Sequence, residues 1–153
     1  MSPMRAGGSA ANLRAMSTRI YINLPVEDLD RSKAFYSALG YSFNDQFTDE
    51  KAAALEISDH IVAMLQTKEH FATFTGKRIV DAREDAEALF VLGVESRERV
   101  DELADKALAA GGTRAGDPAD LGFLYRRSFQ DPDGHHWEAL YMNVAAAPDR
   151  PRS

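Results

Sequence analysis

A short sequence pattern occurs twice in this chain and constrains its fold more than any other feature. The residues VEDLDR begin at Val26, and the similar residues VESRER begin at Val94. In both places an alternating apolar run precedes the pattern, and a helix-like stretch that ends in glycine follows it. Repetition of this kind indicates two copies of one supersecondary unit, so we expect a binding pocket where the copies face each other.

The first copy has the features of a β-α-β-β-β unit. Residues 19–24 alternate between apolar and polar positions, as in a strand that has one face under a helix. Asp28 is a good residue to cap the following helix, and Gly40 is a good residue to end it. Three further strands are predicted after Gly40. They are 41–47, 53–57 and 61–66.

The second copy repeats this order after a polar connector. A strand at 88–94 precedes a helix that Ser96 caps, and three strands follow the helix, near Thr113 and at 123–129 and 136–141. The residues DPDG at 131–134 favour a tight turn between the last two strands. We therefore predict an α+β fold in which two βαβββ units form a cup-shaped mixed sheet.

The predicted domain organisation follows from these elements. One domain covers residues 18–143, with unit one at 18–67, a connector at 68–87 and unit two at 88–143. Residues 1–17 are rich in small residues and arginine, and we predict a disordered or misassigned extension. Residues 144–153 are predicted to be a C-terminal tail.

Composition limits the classes of partner. The net charge of −6 argues against nucleic acid, whose phosphates need a basic surface. No apolar run approaches the length of a membrane span, so we expect no membrane partner. The chain has no cysteine, which excludes disulfides and thiolate ligands and fits a cytoplasmic protein.

Three stretches of the chain resemble the vicinal oxygen chelate superfamily, which includes glyoxalase I, extradiol dioxygenases, and fosfomycin and bleomycin resistance proteins. They are residues 22–36, 129–134 and 136–140. The resemblance implies the glyoxalase/bleomycin resistance/dioxygenase fold and a homodimer. In the enzymes of that superfamily it also implies a divalent metal inside the cup, held by side chains from four strands.

The ligand positions implied by the resemblance are mostly unsuited to a metal here. They fall on Tyr21, Leu89, a position near Ala63, and Glu138. Leucine and alanine cannot bind a metal, and the tyrosine hydroxyl is protonated below a pKa near 10. We therefore expect no cofactor and no conventional metal site. The alternative is a divalent metal with ligands recruited from elsewhere, such as His136 or His60.

The alternation of faces along each strand identifies the candidate site residues. Glu138 and His136 share a strand face, where they could transfer a proton or bind a ligand, although Glu138 could instead pair structurally with Arg126 or Arg127. Tyr21 and Asn23 point away from the helix-packed face, toward the cup, although Tyr21 could simply fill volume. These four residues form the predicted polar side of the cup.

Two neighbouring arginines complete the candidate set. Arg126 and Arg127 lie on opposite faces of their strand, so one of them is a candidate to meet an anionic ligand. The parity of His135 is opposite to that of His136, and we predict that His135 lies on the surface.

These residues predict a protein that binds a small organic molecule in its cup without the usual metal. If it is an enzyme, Glu138 is the expected general acid or base. One alternative is a metal-dependent lyase or dioxygenase of the same superfamily. A third hypothesis is a non-catalytic resistance protein that sequesters a drug-like compound.

Overall fold

A computed structural model describes residues 18–149 and confirms the duplicated architecture. In chain order the elements are β1 (Ile20–Val26), α1 (Leu29–Ala38), β2 (Ser42–Asn44), β3 (Ala52–Ser58), β4 (Ile61–Thr67), α2 (Lys68–Phe71), β5 (Phe90–Gly93), α3 (Arg97–Ala109), β6 (Thr113–Arg114), β7 (Ala119–Asp120), β8 (Leu124–Gln130) and β9 (His136–Met142). The predictions for residues 1–17 and for the end of the tail lie outside the described residues.

The two units have the same sheet topology. Sheet one has the strand order β1-β4-β3-β2, and sheet two has the order β5-β9-β8-β6, with β7 also paired to β8. In each sheet the first strand of the unit runs parallel to the last strand, while the other pairs are antiparallel. Both sheets are open, since no strand pair within residues 18–149 joins one sheet to the other.

The predicted caps fix both long helices. The Asp28 carboxylate accepts a hydrogen bond from the Arg31 N–H at 3.1 Å, and the Ser96 hydroxyl accepts one from the Arg99 N–H at 3.0 Å. Gly40 follows α1 with a φ of 102°, a left-handed conformation that glycine adopts without strain. The boundaries of α1 and α3 therefore follow from local chemistry that the sequence displays.

Both sheets pack against one shared core. One face of each sheet, here called its helix face, contributes alternate apolar residues such as Leu24, Leu55 and Trp137. Helix α1 contacts both sheets, because its Tyr36 ring lies 5.8 Å from the Trp137 ring while α1 also packs on β3 and β4. The opposite face of each sheet, here called its open face, is turned away from this core.

Some element boundaries differ from those expected. The strand predicted at 41–47 is only Ser42–Asn44, because the Asn44 side chain accepts from the Gln46 N–H at 3.0 Å and begins a 3-10 turn. Strand β1 continues past Pro25 to Val26, which an edge strand tolerates since one side of its backbone needs no partner. The connector begins with a single helical turn, α2, which is followed by a 3-10 turn at Ala72–Phe74.

Within the described part of the chain, every helix is too short or too polar to cross a membrane.

Candidate functional site

The open faces of the two sheets carry the predicted site residues. Tyr21 and Met64 lie on the open face of sheet one, and Val91 and Glu138 lie on that of sheet two. Large apolar groups are exposed on both faces: Tyr21 is 53% exposed, Val91 is 49% exposed and Met142 is 41% exposed. Exposed apolar groups on these faces make them candidate binding surfaces.

A cavity of about 340 Å³, here called the unit-one cavity, lies on the open face of sheet one. Its size falls within the range of small-molecule pockets, roughly 300–1,000 Å³. The cavity is lined by Arg19, Tyr21, Asn44, Phe47, Ala54, Glu56, Val62 and Met64. Most of this wall is apolar or aromatic, and its polar groups stand at a few fixed points, as in typical ligand pockets.

Two contacts hold the polar groups of the unit-one cavity. The Asn44 amide donates to the Glu56 carboxylate at 3.3 Å. The Arg19 guanidinium lies 5.5 Å from the centre of the Tyr21 ring, within the range of a cation–π interaction. The cavity therefore presents a carboxylate on one side and an aromatic ring on another.

On sheet two, Glu138 is held by two neighbours on β8. Its Oε1 accepts from the Arg126 guanidinium at 2.7 Å and from the Ser128 hydroxyl at 3.2 Å. Glu138 is thus paired with Arg126, which is the structural role that the sequence offered as an alternative to ligand binding. The Arg126 side chain is still 43% exposed, so the pair is open to a ligand from solvent.

The two arginines point to opposite faces, as strand parity predicted. Arg127 extends to α3, where it donates to Asp101 at 3.0 Å and to Asp105 at 2.9 Å. The Tyr125 hydroxyl also donates to Asp101, at 2.6 Å, and this hydrogen bond is the main cause of the lowered pKa of Asp101, followed by the contact with Arg127. Arg127 therefore fastens α3 to β8, and Arg126 is the arginine of the open face.

Asn23 and His136 meet in a different place. Both line a cavity of about 400 Å³, here called the connector cavity, between the edge of β1 and the connector. Asn23 also accepts a hydrogen bond from the buried Gln66 amide. The four residues of the predicted polar side are therefore divided: Tyr21 lines the unit-one cavity, Asn23 and His136 line the connector cavity, and Glu138 lies on sheet two.

The motifs that carry the family resemblance bind each other. In what we call the latch, the turn at 131–134 receives hydrogen bonds from the start of α1 and the end of β1. Asp133, which is 5% exposed, accepts from the Glu27 N–H at 2.8 Å, from the Ser32 hydroxyl at 3.2 Å and from Arg31 at 3.4 Å. These two motifs therefore join unit one to unit two, which is a structural role.

Asp131 forms the buried half of the latch. It accepts from the Tyr36 hydroxyl at 2.5 Å and from the backbone N–H groups of Asp133 and His135, each at 2.9 Å. Burial raises the pKa of Asp131, while the nearby His135 and the hydrogen bond from Tyr36 oppose that rise. Burial also raises the pKa of Tyr36 well above its ordinary value, and the charge of Asp131 adds to this shift.

The prediction that His135 lies on the surface is wrong. His135 is 8% exposed, and its Nε2 lies 2.8 Å from the carbonyl oxygen of Pro25. A carbonyl oxygen can only accept, so Nε2 must carry the hydrogen. Strand parity correctly places His135 and His136 on opposite faces of the strand. The face on which His135 lies is packed against unit one and is not exposed to solvent. His60, by contrast, is exposed.

The register of sheet one corrects one of the implied ligand positions. Val91 on β5 is paired with Glu138 on β9, and the equivalent residue Asn23 on β1 is paired with Met64 on β4. The counterpart of Glu138 is thus Met64, whereas Ala63 is fully buried on the helix face. A thioether is a weak donor for hard divalent ions, so this correction does not restore a ligand.

The donor set does not fit the metal that the superfamily implies. The four positions hold Tyr21, Leu89, Met64 and Glu138, of which only Glu138 is a carboxylate, and Arg126 already occupies that carboxylate. Divalent ions need several converging oxygen or nitrogen ligands. Within residues 18–149 no group of three or more histidine, aspartate or glutamate side chains is close enough to hold one.

Sequence reasoning missed Glu56, the second carboxylate of the open faces. The signal was present, because Ala53 and Leu55 alternate with Ala54 and Glu56 along β3. The buried residues Ala53 and Leu55 mark the helix face, so Glu56 had to lie on the open face. Asn44 and Phe47 could not be found in this way, since a 3-10 turn brings Phe47 to the cavity.

Comparison with known proteins agrees with this architecture. Residues 19–58 match the family model described as bleomycin resistance protein-like N-terminal. A solved structure of a hypothetical protein from S. aureus is 31% identical, with a TM-score of 0.70, and the match covers 85% of this chain and 99% of that one. A search of curated proteins found no match.

Two further solved structures share the fold. A glyoxalase-related enzyme from Fulvimarina pelagi is 22% identical, with a TM-score of 0.71, over 81% of this chain and 87% of that one. A glyoxalase/bleomycin resistance protein/dioxygenase family enzyme from Burkholderia phytofirmans PsJN is 20% identical, with a TM-score of 0.67, over 82% and 99%. These matches show the glyoxalase/bleomycin resistance fold, which agrees with the duplicated topology and with the resemblance to the vicinal oxygen chelate superfamily.

Proposed function

We propose that this protein binds a small organic molecule on the open faces of its two sheets and that it does so as a homodimer. The observation that carries this proposal is the unit-one cavity, whose volume of about 340 Å³ and largely apolar wall suit a small ligand. Its polar groups, Tyr21, Asn44 and Glu56, stand where they can orient such a ligand.

The arrangement of the sheets supports a site built from two chains. The helix faces of both sheets converge on one core, so within one chain the open faces are turned away from that core. Tyr21 lines the unit-one cavity, and Glu138 is not among the residues that line it. If the open face of sheet one meets the open face of sheet two from a second copy, both polar walls enclose one cup, and the exposed Tyr21 and Val91 become buried.

Glu138 is the residue of this cup best suited to move a proton. Arg126 and Ser128 fix the orientation of its carboxylate, and a positioned carboxylate can take a proton from a carbon beside a carbonyl group. The exposed part of the Arg126 guanidinium lies beside Glu138, where it would stabilise the oxyanion that forms. The proposed reaction is therefore of the lyase type. Glu138 takes a proton from a carbon beside a carbonyl group, and protein side chains, without a metal ion, stabilise the product.

Isotope-edited NMR tests the binding proposal directly. The chain has five methionines, of which Met64 lies in the unit-one cavity and Met142 lies on the open face of sheet two. With [¹³C-methyl]methionine, ligands from a library of small aromatic and carbonyl compounds should shift Met64, Met142 or both. Substitution of each methionine by leucine assigns the two signals. Ligands that bind and shift neither signal would contradict the proposal.

Two further measurements separate this function from its rivals. Metal analysis of protein purified without chelator would favour a metal-dependent lyase or dioxygenase if it found one divalent ion per site. Recovery of every bound ligand chemically unchanged, together with full binding by Glu138→Gln, would favour sequestration over catalysis. Proton transfer by Glu138 instead predicts exchange of a ligand C–H with solvent deuterium, and Glu138→Gln should abolish that exchange.

A further inference from the structure

The unit-one cavity contains a carboxylate that forms no ion pair with any of the described residues 18–149. Glu56 lies on β3 and is half-buried, with the Asn44 amide as its hydrogen-bond donor at 3.3 Å. In the part of the chain described by the structure, no lysine, arginine or histidine nitrogen lies within 4.0 Å of this carboxylate. Glu138 differs in this respect, since Arg126 neutralises it.

The surroundings of Glu56 make its charge available to a ligand. Phe47, Val62 and Met64 provide apolar walls in the same cavity. An apolar ligand that fills this space removes water from the carboxylate, and a desolvated charge without a partner is unfavourable. A ligand that brings its own cation restores the lost interaction, whereas a neutral or anionic ligand does not.

The cavity already holds one cation of its own. The Arg19 guanidinium lies 5.5 Å from the centre of the Tyr21 ring, and it is not within 4.0 Å of the Glu56 carboxylate. An aromatic face attracts a cation through its quadrupole, and the attraction grows when water is excluded. Arg19 thus occupies one position that a ligand cation would favour, and it would compete with such a ligand.

From this geometry we infer that the unit-one cavity takes a ligand with an apolar body and one cationic nitrogen, such as an arylalkylamine. The nitrogen lies between the Glu56 carboxylate and the Tyr21 ring, and the apolar body lies against Phe47, Val62 and Met64. This inference rests on the proposed function and narrows it to a ligand class.

Three probes with the same body and different head groups test the charge preference. They are 4-phenylbutylamine, 4-phenylbutanol and 4-phenylbutyrate, titrated into the protein at fixed ionic strength with the Met64 methyl signal as readout. The amine should bind most tightly, and the butyrate should bind most weakly. In Glu56→Gln the affinity for the amine should fall about tenfold, because a charge-assisted contact is lost, while the affinity for the alcohol stays the same.

Two variants distinguish recognition from a general effect of charge. Glu50→Gln removes an exposed acid from the same unit and should leave the affinity for the amine unchanged. Arg19→Gln removes the competing cation and should increase that affinity, a gain that a purely structural role of Arg19 would not produce.

Equal affinity for the amine and the alcohol, or an amine affinity that Glu56→Gln leaves intact, would overturn the inference and leave the proposed function standing. Failure of all three probes to shift Met64 would also overturn it. The proposed function is decided separately by the wider ligand screen, in which any ligand class that shifts Met64 or Met142 counts in its favour.

Discussion

Single side chains on the open faces have different surroundings although their sequence contexts are similar. Glu138 and Glu56 both lie on a strand between apolar residues of the helix face. Glu138 accepts from an arginine and a serine, whereas the one donor to Glu56 among residues 18–149 is an amide. This difference is the basis for our proposals of proton transfer by Glu138 and of ligand recognition by Glu56.

The ion pair between Glu138 and Arg126 should contribute little to stability. We expect Glu138→Gln to lower the free energy of unfolding by less than about 1 kcal/mol, because the exposed Arg126 is screened by water. Urea denaturation measures this change, and Ser128→Ala serves as a matched control on the same carboxylate. A loss above about 2 kcal/mol would show that the pair is a structural contact and would weaken its assignment to the site.

Tyr36 should make stability fall at alkaline pH. Burial raises its folded pKa above the ordinary value of 10.0, so the unfolded chain loses this proton at a lower pH than the folded chain does. The contribution is fully present below about pH 10 and is lost as the pH rises above it. Urea denaturation from about pH 9 to pH 11 should show a steeper loss in the wild type than in Tyr36→Phe. Equal slopes would show that Tyr36 ionises normally.

The latch joins the two units, whose sheets are not linked by any strand pair within residues 18–149. Helix α1 and the turn at 131–134 come from different units, and they meet through Asp133 and Asp131. Gly134 allows the connector to approach this turn closely, because its φ is 93° and a Cβ there would lie 2.7 Å from the Arg83 backbone nitrogen. The connector therefore passes directly over the turn that binds α1.

Removal of the latch carboxylate should be costly. We expect Asp133→Ala to lower the free energy of unfolding by about 3 kcal/mol, because it leaves the Glu27 N–H and the Ser32 hydroxyl without their acceptor. Asp30→Ala, which removes an exposed acid from the first turn of α1, should change it by less than about 0.5 kcal/mol. Chemical denaturation of both variants tests the comparison, and similar losses would argue against the latch.

At the scale of the whole molecule, the sequence predicts what depends on local chemistry. The helix caps at Asp28 and Ser96, the turn at 131–134 and the opposite faces of Arg126 and Arg127 follow from residue type and strand period, and the structure confirms them. The predicted fold is also confirmed, and the motifs that form the latch are themselves visible in the sequence.

Non-local packing explains what the sequence does not predict. His135 is buried because unit one covers it, and the counterpart of Glu138 is Met64 because of the register between β1 and β4. The separation of Tyr21 from Glu138 depends on how two sheets pack around one core. Strand parity assigns a face to each residue, but it does not say what covers that face.

The central claim is that the protein binds its ligand between two chains of a homodimer. The direct test is whether the open face of sheet one in one chain contacts the open face of sheet two in a second chain. The chain has no cysteine, so Val91→Cys, beside Glu138, accepts a single spin label. This variant is mixed with a chain that carries [¹³C-methyl]methionine and no spin label, and native mass spectrometry verifies that mixed dimers form. The account predicts that the Met64 methyl signal broadens in the mixed dimers. A protein that stays monomeric, or a Met64 signal that stays sharp in verified mixed dimers, would contradict it.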